Sequence, residues 1–465
     1  MDRHAVADFG GVPGADALAA VHSASRLRGD LHMPGDKSIS HRALMFALLA
    51  DGESRIEGAG DGADVRSTAG IGRALGALVQ REAGNDGTVT YRVHARGVAG
   101  FMQTPGTLDC GNSGTSLRLF AGILAGSAVT AILDGDASLR GRPMNRIIEP
   151  LRAMGSGIRA AGDDGRPPVT IEGRASLEPI DWATPVPSAQ VKSAILLAGL
   201  CASGTTRVHE SVATRDHTER MLRARGVKVR TSPEGDGGVL IEIEGGTAVR
   251  AMDQVVPGDP SAAAFWLVAG TIHPDADLIL RGVGTNPTRR GIIDLLVRMG
   301  ARIDERPLPD PPDATDVSLQ PDTGEPRADL HVQSADLRAI EVSPAEVASA
   351  IDEIPILCLA ATQATGRTTI RGAGELRNKE SDRLAGVAAG LTALGAKIRV
   401  DGDDIVVDGP ARLLGAASDS LDDHRLAMTF AIAGLIATGP TTVGRPASAS
   451  VSYPGFFADL ERIRA

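Results

Sequence analysis

The sequence predicts an α/β protein of two domains, each containing three copies of one β/α unit. Six segments share a pattern: a turn with Ser, Asp or Asn, then a small apolar helix, then a turn and strand rich in Gly and Thr. The steps between equivalent positions are 75, 76, 71, 93 and 71 residues, counted from the anchors Lys37, Asn112, Ser188, Asp259, Asp352 and Asp423. A fixed period indicates a repeated supersecondary unit, and 465 residues are too many for a single hydrophobic core.

A second helix is expected in each copy, ending at a glycine. The strings LRAMG, LRARG, LVRMG and LTALG end at Gly155, Gly226, Gly300 and Gly395, and Gly76 ends a fifth helix. Glycine directly after a periodic segment is typical of a helix C-terminus. The C-terminal FFADLERIRA resembles a sixth such helix, so the last copy is predicted to be shortened.

Two nearly identical turns predict the domain boundaries. MPGDKS occupies 33–38 and VPGDPS occupies 256–261, and three complete copies lie between them. We therefore expect a loose N-terminal tail (1–25), one domain formed by 26–35 plus 258–465, and a second domain formed by 36–257. The acidic, Pro-rich stretch at 304–326 has no apolar period and is predicted to be a surface excursion.

Composition excludes several classes of protein. No apolar run approaches the roughly 18–20 residues that span a membrane, and the first 25 residues lack the basic and apolar regions of a signal peptide. The three cysteines have neither pair spacing nor metal-ligand neighbours, which favours reduced thiols in the cytoplasm. The net charge of −10 argues against nucleic acid as a partner.

The predicted helix starts concentrate cap residues and cations. Side chains such as Asp36, Ser188, Asp259 and Asp423 cap orphan N–H groups, and this is their usual role. Several helix N-termini around one cleft would also attract anions. Asp36 directly precedes Lys37, where a nucleotide P-loop requires glycine, so that motif is excluded.

The cations at or near these starts are the candidate anion ligands: Lys37, Arg42, Arg118, Arg142, Lys379, Arg383 and Arg425. Glu380, beside Lys379 in a Gly-rich turn, is a candidate for proton transfer. His41, His217 and His424 are interpreted as structural hydrogen-bonding groups. The sequence has no hydrolase elbow, no HExxH and no paired cysteines for zinc.

Seven motifs resemble the 5-enolpyruvylshikimate-3-phosphate synthase family: PGDKSISHRAL, GNSGTSLRL, GRPM, PSAQVKSAILLAGL, TRDHTERML, LRNKESDRL and DHRLAM. They occur in order from about residue 26 to the C-terminal region. The resemblance implies a two-domain inside-out α/β barrel of six repeated units, the enolpyruvyl transferase fold. It also implies transfer of the enolpyruvyl group of phosphoenolpyruvate to the 5-hydroxyl of shikimate 3-phosphate, with no metal or organic cofactor, in a monomer.

The resemblance also assigns the site residues. Shikimate 3-phosphate would bind to Lys37, Ser38, Arg42, Ser188, Ala189, Gln190, Arg215, Asp352 and Lys379. Phosphoenolpyruvate would bind to Lys37, Gly114, Arg142, Gln190, Arg383 and Arg425. Asp352 would be the base for the 5-hydroxyl, and Glu380 and Lys37 would handle the other protons, in an order that the sequence leaves open.

Three departures from the common family pattern stand out. Ala189 replaces a serine, TRDHTERM with Arg215 replaces a tyrosine-bearing segment, and Val451-Ser452 stand where many members carry a lysine. The first two resemble one bacterial branch of the family. The third puts one cationic contact to phosphoenolpyruvate in doubt.

Two other functions fit the sequence less well. The enolpyruvyl transferase that acts on UDP-N-acetylglucosamine carries a cysteine five residues before an Arg-Pro pair, whereas Ala137 holds that place here and Ser38 replaces the asparagine that follows its lysine. A non-catalytic repeat protein would use regular helix faces to bind partners. The clustering of charged residues at helix starts argues against it.

Overall fold

The computed structural model describes residues 18–84, 88–235, 237–309 and 324–464, which form two compact units. The first unit contains the described residues of 18–34, 258–308 and 327–464, and the second contains those of 35–257 together with 309 and 324–326. The chain thus passes between the units at 34–35, 257–258, 308–309 and 326–327. The sequence predicted passages near Gly35 and Gly258 and placed 258–465 in one domain, whereas 309 and 324–326 group with the second unit.

Each unit repeats one order of helices and strands. Before residue 35 lie β1 (Leu18–Val21) and β2 (Leu27–His32). The helices of 35–257 are α1 (Lys37–Leu49), α2 (Ala63–Ala74), α3 (Gly114–Ala125), α4 (Ala137–Arg140), α5 (Asn145–Ala153), α6 (Ala189–Gly199) and α7 (His217–Ala224). The strands of 35–257 are β3 (Asp51–Glu57), β4 (Leu78–Ala83), β5 (Val89–Arg96), β6 (Gly106–Asp109), β7 (Thr130–Asp134), β8 (Gly157–Ala160), β9 (Val169–Glu172), β10 (Asp181–Ala183), β11 (Thr205–Glu210), β12 (Val229–Glu234), β13 (Gly238–Glu244) and β14 (Gln254–Val255).

The remaining chain continues the same order. Its helices are α8 (Pro260–Ile272), α9 (Gly291–Met299), α10 (Pro344–Ser349), α11 (Ile354–Gln363), α12 (Arg383–Ala393), α13 (His424–Gly434) and α14 (Phe456–Ile463). Its strands are β15 (Ala276–Gly284), β16 (Arg302–Pro307), β17 (Arg327–Gln333), β18 (Glu341–Val342), β19 (Gly366–Ile370), β20 (Lys397–Asp401), β21 (Asp404–Gly409), β22 (Ala417–Asp419) and β23 (Thr441–Gly444).

One sheet pattern recurs six times. In each copy, the strand that follows the first helix pairs in parallel with a strand that precedes a first helix. These pairs are β3 with β14, β7 with β6, β11 with β10, β15 with β2, β19 with β18 and β23 with β22. Because β2 pairs with β15 and β14 with β3, these two strands exchange sheets. This exchange requires the chain passages near Gly35 and Gly258.

The shortened sixth copy recruits a strand from the N-terminal region. In the other five copies the central strand also pairs antiparallel with a later strand of the same copy, such as β5 with β3. In the sixth copy β1 takes this position beside β23. The prediction of a loose tail through residue 25 is therefore wrong from Leu18 onward, since Ala19 and Val21 are buried. Residues 1–17 lie outside the described residues.

The first helices form the two hydrophobic cores. Helices α1, α3 and α6 belong to one core and α8, α11 and α13 to the other. All but one residue of α8 are buried, so its sequence is apolar on every face rather than amphipathic. The second helices end at Gly76, Gly155, Gly226, Gly300 and Gly395 with φ between 83° and 106°, as their glycines predict.

The predicted excursion at 304–326 begins later than expected. Residues 304–307 belong to β16, which pairs with β17, and 310–323 lie outside the described residues. Within the described ranges, no helix is long and apolar enough to cross a membrane.

Candidate active site

Polar caps set the start of the three first helices of the second unit. The side-chain oxygens of Asp36, Ser113 and Ser188 accept hydrogen bonds from backbone N–H groups three residues later, at 2.9, 3.0 and 3.4 Å. The residues that follow these caps are Lys37, Gly114 and Ala189, each the first residue of its helix. The predicted cap role of Asp36 and Ser188 is confirmed, and it places these candidate residues at N-termini that attract anions.

Arg42 lies on α1 beside α6 and α7. Its guanidinium donates to the Thr218 hydroxyl at 2.8 Å, the Ser193 hydroxyl at 2.8 Å and the Ser38 carbonyl at 3.1 Å. Burial, with a smaller contribution from nearby Arg215, lowers the pKa of Arg42 to about 10, although the carboxylates of Glu219 and Asp36 act to raise it. Arg42 therefore remains charged at neutral pH in a low-dielectric environment, where its attraction for an anion is strong.

A second group of cations surrounds Gln190. Arg118 donates to the Gln190 carbonyl oxygen at 2.5 Å, and the Gln190 amide donates to Thr115 at 2.9 Å. Arg142 donates to Asn112 at 2.7 Å. A Cβ on Gly114 would lie 2.8 Å from Nη1 of Arg118 and 3.5 Å from Nη1 of Arg142. The structure thus brings Gly114, Gln190 and Arg142 together as predicted, and it adds Arg118, which the sequence noted but left out of the site.

Lys37 has a partner that the sequence did not indicate. Its ammonium lies 3.0 Å from a carboxylate oxygen of Asp64, the second residue of α2. The lysine side chain is one-quarter exposed. Asp64 is 27 residues from Lys37 along the chain, so sequence spacing gave no signal for this pair.

In the first unit, one buried guanidinium contacts three carboxylates. Arg383 donates to Asp423 at 2.7 Å and to Glu380 at 2.5 Å, and its Nη1 lies 3.4 Å from Asp352. Burial would lower the pKa of Arg383, but the carboxylates of Glu380, Asp423 and Asp352 outweigh it and raise that pKa. Arg383 is therefore permanently charged, and it fixes the positions of both candidate proton-transfer residues.

Asp352 lies two residues before the start of α11, between two cations. Its Oδ1 is 3.6 Å from the Lys379 ammonium and 3.4 Å from Arg383. The cap position of α11 is Glu353, which makes no side-chain cap bond. The Asp352 carboxylate is one-fifth exposed. A carboxylate beside cations is stabilised in its ionised form, which is the form a general base requires.

Arg425 is the second residue of α13, after the cap Asp423. Its Nη1 donates to the Ser261 carbonyl at 3.2 Å, and its buried Nε finds no acceptor among the described residues. The Ser261 hydroxyl accepts from Arg289 at 2.8 Å and donates to Glu353. This serine therefore links Arg425 to the residue beside Asp352. The sequence gave no signal for Arg289, which lies 28 residues from Ser261, or for Glu353, whose partner Ser261 lies in a different copy.

The predicted structural role of His41 is confirmed. Its Nδ1 lies 2.7 Å from the Thr68 hydroxyl, and burial lowers its pKa to about 3. His217 Nδ1 lies 2.8 Å from Glu325. Over the described part of the chain, no three His, Cys, Asp or Glu side chains are grouped so that they could hold a metal ion.

Comparisons with known proteins agree over nearly the whole chain. The family model described as EPSP synthase (3-phosphoshikimate 1-carboxyvinyltransferase) matches residues 21–460. A protein of that name from Gloeobacter violaceus is 48% identical over 96% of this chain and 98% of its own length. A second, from Methylobacterium sp., is 47% identical over 94% and 95%.

Solved structures show the same fold. EPSP synthase from Acinetobacter baumannii superposes with a TM-score of 0.83 at 39% identity, covering 96% of this chain and 98% of that one. The enolpyruvyl transferase NikO from Streptomyces tendae gives a TM-score of 0.73 at 22% identity over 97% and 98%, a likeness of fold. The predicted enolpyruvyl transferase fold is confirmed, and the chain belongs to the EPSP synthase (3-phosphoshikimate 1-carboxyvinyltransferase) family.

Proposed function

We propose that this enzyme transfers the enolpyruvyl group of phosphoenolpyruvate to the 5-hydroxyl of shikimate 3-phosphate and releases inorganic phosphate. The observation that carries the proposal is the Asp352 carboxylate, which lies 3.4 and 3.6 Å from two cations at the start of a helix. The family match and the curated relatives support the same reaction.

The cations suit the two substrates. Each substrate carries a phosphate and a carboxylate, and guanidinium groups bind paired oxygens with two parallel N–H bonds. Shikimate 3-phosphate is assigned to Lys37, Ser38, Arg42, Ser188, Ala189, Gln190, Arg215, Asp352 and Lys379. Phosphoenolpyruvate is assigned to Lys37, Gly114, Arg142, Gln190, Arg383 and Arg425.

The reaction requires two proton transfers before phosphate leaves. Asp352 takes the proton of the 5-hydroxyl while the hydroxyl oxygen forms a bond to C2 of phosphoenolpyruvate. An acid donates a proton to the methylene carbon. Elimination then removes a proton from that methyl group and breaks the C–O bond to phosphate. Glu380 and Lys37 are the candidates for these methyl-carbon transfers. Glu380 accepts from Arg383 at 2.5 Å, which fixes its carboxylate close to Asp352.

Steady-state phosphate release tests the proposal. We expect release when phosphoenolpyruvate and shikimate 3-phosphate are both present, and no release when UDP-N-acetylglucosamine replaces the latter. Release with the nucleotide sugar, or none with shikimate 3-phosphate, contradicts the proposal. A monomer in the cytoplasm stays a prediction that rests on the family resemblance and on the unpaired cysteine pattern.

A further inference from the structure

A buried ion cluster joins α6, the helix that carries Ala189 and Gln190, to β11 and α7. Lys192, on α6, is 1% exposed, and its ammonium lies 2.9 Å from Glu210 and 2.9 Å from Glu219. Its third contact is the Thr214 carbonyl at 3.5 Å. Burial would lower the pKa of Lys192, but the carboxylates of Glu219 and Glu210 outweigh it and raise that pKa. Lys192 is therefore a charged group held by three acceptors.

This cluster determines the path of the segment that carries Arg215. Glu210 is the last residue of β11 and accepts from the Thr214 hydroxyl at 2.6 Å and the Thr214 N–H at 3.2 Å. Glu219 lies in the first turn of α7. Lys192 thus connects both ends of residues 211–216 to α6, and Arg215 directly follows Thr214.

The next residue of α6 holds the other arginine. The Ser193 hydroxyl accepts from Arg42 at 2.8 Å and lies 2.7 Å from the Thr218 hydroxyl. Thr218 also accepts from Arg42 at 2.8 Å. Two adjacent residues of α6 therefore act on the two arginines. Ser193 contacts Arg42, and Lys192 is connected to Arg215 through residues 211–216.

Charge balance couples the cluster to Arg42. One lysine and two glutamates leave a net charge of −1, and the Glu219 carboxylate raises the pKa of Arg42. Without the ammonium, two carboxylates would remain buried together and repel each other unless one took up a proton. Their additional negative charge would also oppose binding of a phosphate near Arg42.

We propose that Lys192 is a positioning residue that holds Arg215 and Arg42, through Glu210 and Glu219, in place for the phosphate of shikimate 3-phosphate. The inference rests on the proposed function, because that function assigns both arginines to this substrate. It adds a role for three buried residues that do not contact the substrate themselves.

The test compares Lys192→Met with Arg225→Met. Arg225 is also a buried cation of the second unit, 1% exposed, but it donates to the Met221 carbonyl and to Gln254, away from residues 211–216. We expect Lys192→Met to raise KM for shikimate 3-phosphate about 10- to 100-fold and to change KM for phosphoenolpyruvate less than about threefold. Arg225→Met should lower thermal stability and leave both KM values unchanged.

The pH dependence gives a readout that lost stability does not mimic. In Lys192→Met, burial and the neighbouring like charge raise the pKa of a carboxyl group, so one carboxylate takes up a proton as the pH falls. The ratio of the variant's KM for shikimate 3-phosphate to the native value should therefore decrease from pH 8.5 to pH 6. The corresponding ratio for Arg225→Met should stay flat.

A charge-balanced variant covers the case in which Lys192→Met does not fold. Lys192→Met/Glu210→Gln restores the net charge of −1 and keeps an acceptor for Thr214, so it should fold. If Lys192→Met also folds, the KM of the double variant for shikimate 3-phosphate should lie between those of the native protein and the single variant. If Lys192→Met does not fold, the KM of the double variant should exceed the native value by less than about 10-fold. Phosphate release by the native protein shows first that the proposed function holds. With that established, a native KM in folded Lys192→Met, or equal increases for both substrates, overturns the inference.

Discussion

Arg383 and Arg425 are both buried arginines, but their surroundings differ in charge. The guanidinium of Arg383 contacts three carboxylates. That of Arg425 donates to a carbonyl, and its Nε has no acceptor among the described residues. An arginine already neutralised by carboxylates mainly holds structure, whereas one with donors to spare can bind an anion. We therefore expect Arg425 to be the stronger ligand of phosphoenolpyruvate.

Arg142→Ala and Arg425→Ala should each raise KM for phosphoenolpyruvate far more than KM for shikimate 3-phosphate. Losing a charge-assisted hydrogen bond to a desolvated oxyanion costs roughly 1.5–3 kcal/mol, which is about 10- to 100-fold in KM. Arg399→Ala, on the exposed strand β20, should leave both constants unchanged. Steady-state kinetics measures the effect, and equal increases for the two substrates would refute the assignment.

Gly114 is the position at which a substitution should affect both glyphosate inhibition and phosphoenolpyruvate binding. The family resemblance implies that the inhibitor glyphosate would occupy the phosphoenolpyruvate pocket, so we expect inhibition that is competitive with phosphoenolpyruvate. A Cβ on Gly114 would lie 2.8 Å from Arg118 and displace that side chain. Gly114→Ala should therefore raise both the inhibition constant of glyphosate and KM for phosphoenolpyruvate. Ala189 and Arg215 argue for weaker inhibition, since the family branch that they resemble includes members that tolerate glyphosate. An inhibition constant unchanged by Gly114→Ala would show that the inhibitor binds elsewhere.

At the scale of helices and strands, the local signals in the sequence were reliable. Cap residues predicted the starts of α1, α6, α8 and α13, and glycines predicted the ends of the second helices. Asp352, the anchor of the fifth copy, does not occupy the cap position, because α11 begins two residues later with Glu353 before it. Strand β1 was missed because its partner β23 lies more than 400 residues away. Lys192 was missed because it lies in an apolar helix whose pattern shows nothing of its partners.

The contact between α3 and α6 depends on glycine. A Cβ on Gly122 would lie 2.2 Å from the Ala194 carbonyl oxygen, so the two backbones must separate if a methyl group is added. Gly122→Ala should destabilise the protein by about 1–3 kcal/mol.

Gly70→Ala provides the matched control. Gly70 lies inside α2, and a Cβ there meets nothing within 4 Å. This substitution should stabilise the protein by about 0.5–1 kcal/mol, because alanine loses less backbone entropy in a helix. Urea unfolding measures both changes, and a Gly122→Ala variant as stable as Gly70→Ala would contradict the close contact.

For the whole molecule, repetition made the architecture predictable and also limited what could be predicted. The six copies, the shortened last copy and the chain passages near Gly35 and Gly258 followed from a period and two similar turns. The sites depend on contacts between copies, such as Arg42 with Ser193 and Arg425 with Ser261. A period relates equivalent positions, but it carries no information on which different positions meet.

Stability of the whole protein should fall in acid partly because of His41. Its pKa is lowered to about 3 in the folded protein from 6.5. The unfolded chain therefore binds a proton that the folded protein excludes, and stability is lost as the pH falls from about 6.5 towards 3, by up to about 1.4 kcal/mol per pH unit. His41→Asn removes this titration, so its free energy of unfolding should fall less steeply between pH 6.5 and pH 4.5. Parallel slopes would contradict the prediction.

The central claim is that the whole chain is an enolpyruvyl transferase in which Asp352 is the base. Asp352→Asn keeps the size of the side chain but removes its capacity to accept a proton. Turnover in the phosphate-release assay should fall by about 10²–10⁴, while calorimetry should show that shikimate 3-phosphate still binds. Asp401→Asn, on an exposed part of the same unit, should keep native turnover. Near-native turnover of Asp352→Asn would contradict the claim and transfer the role of base to another residue.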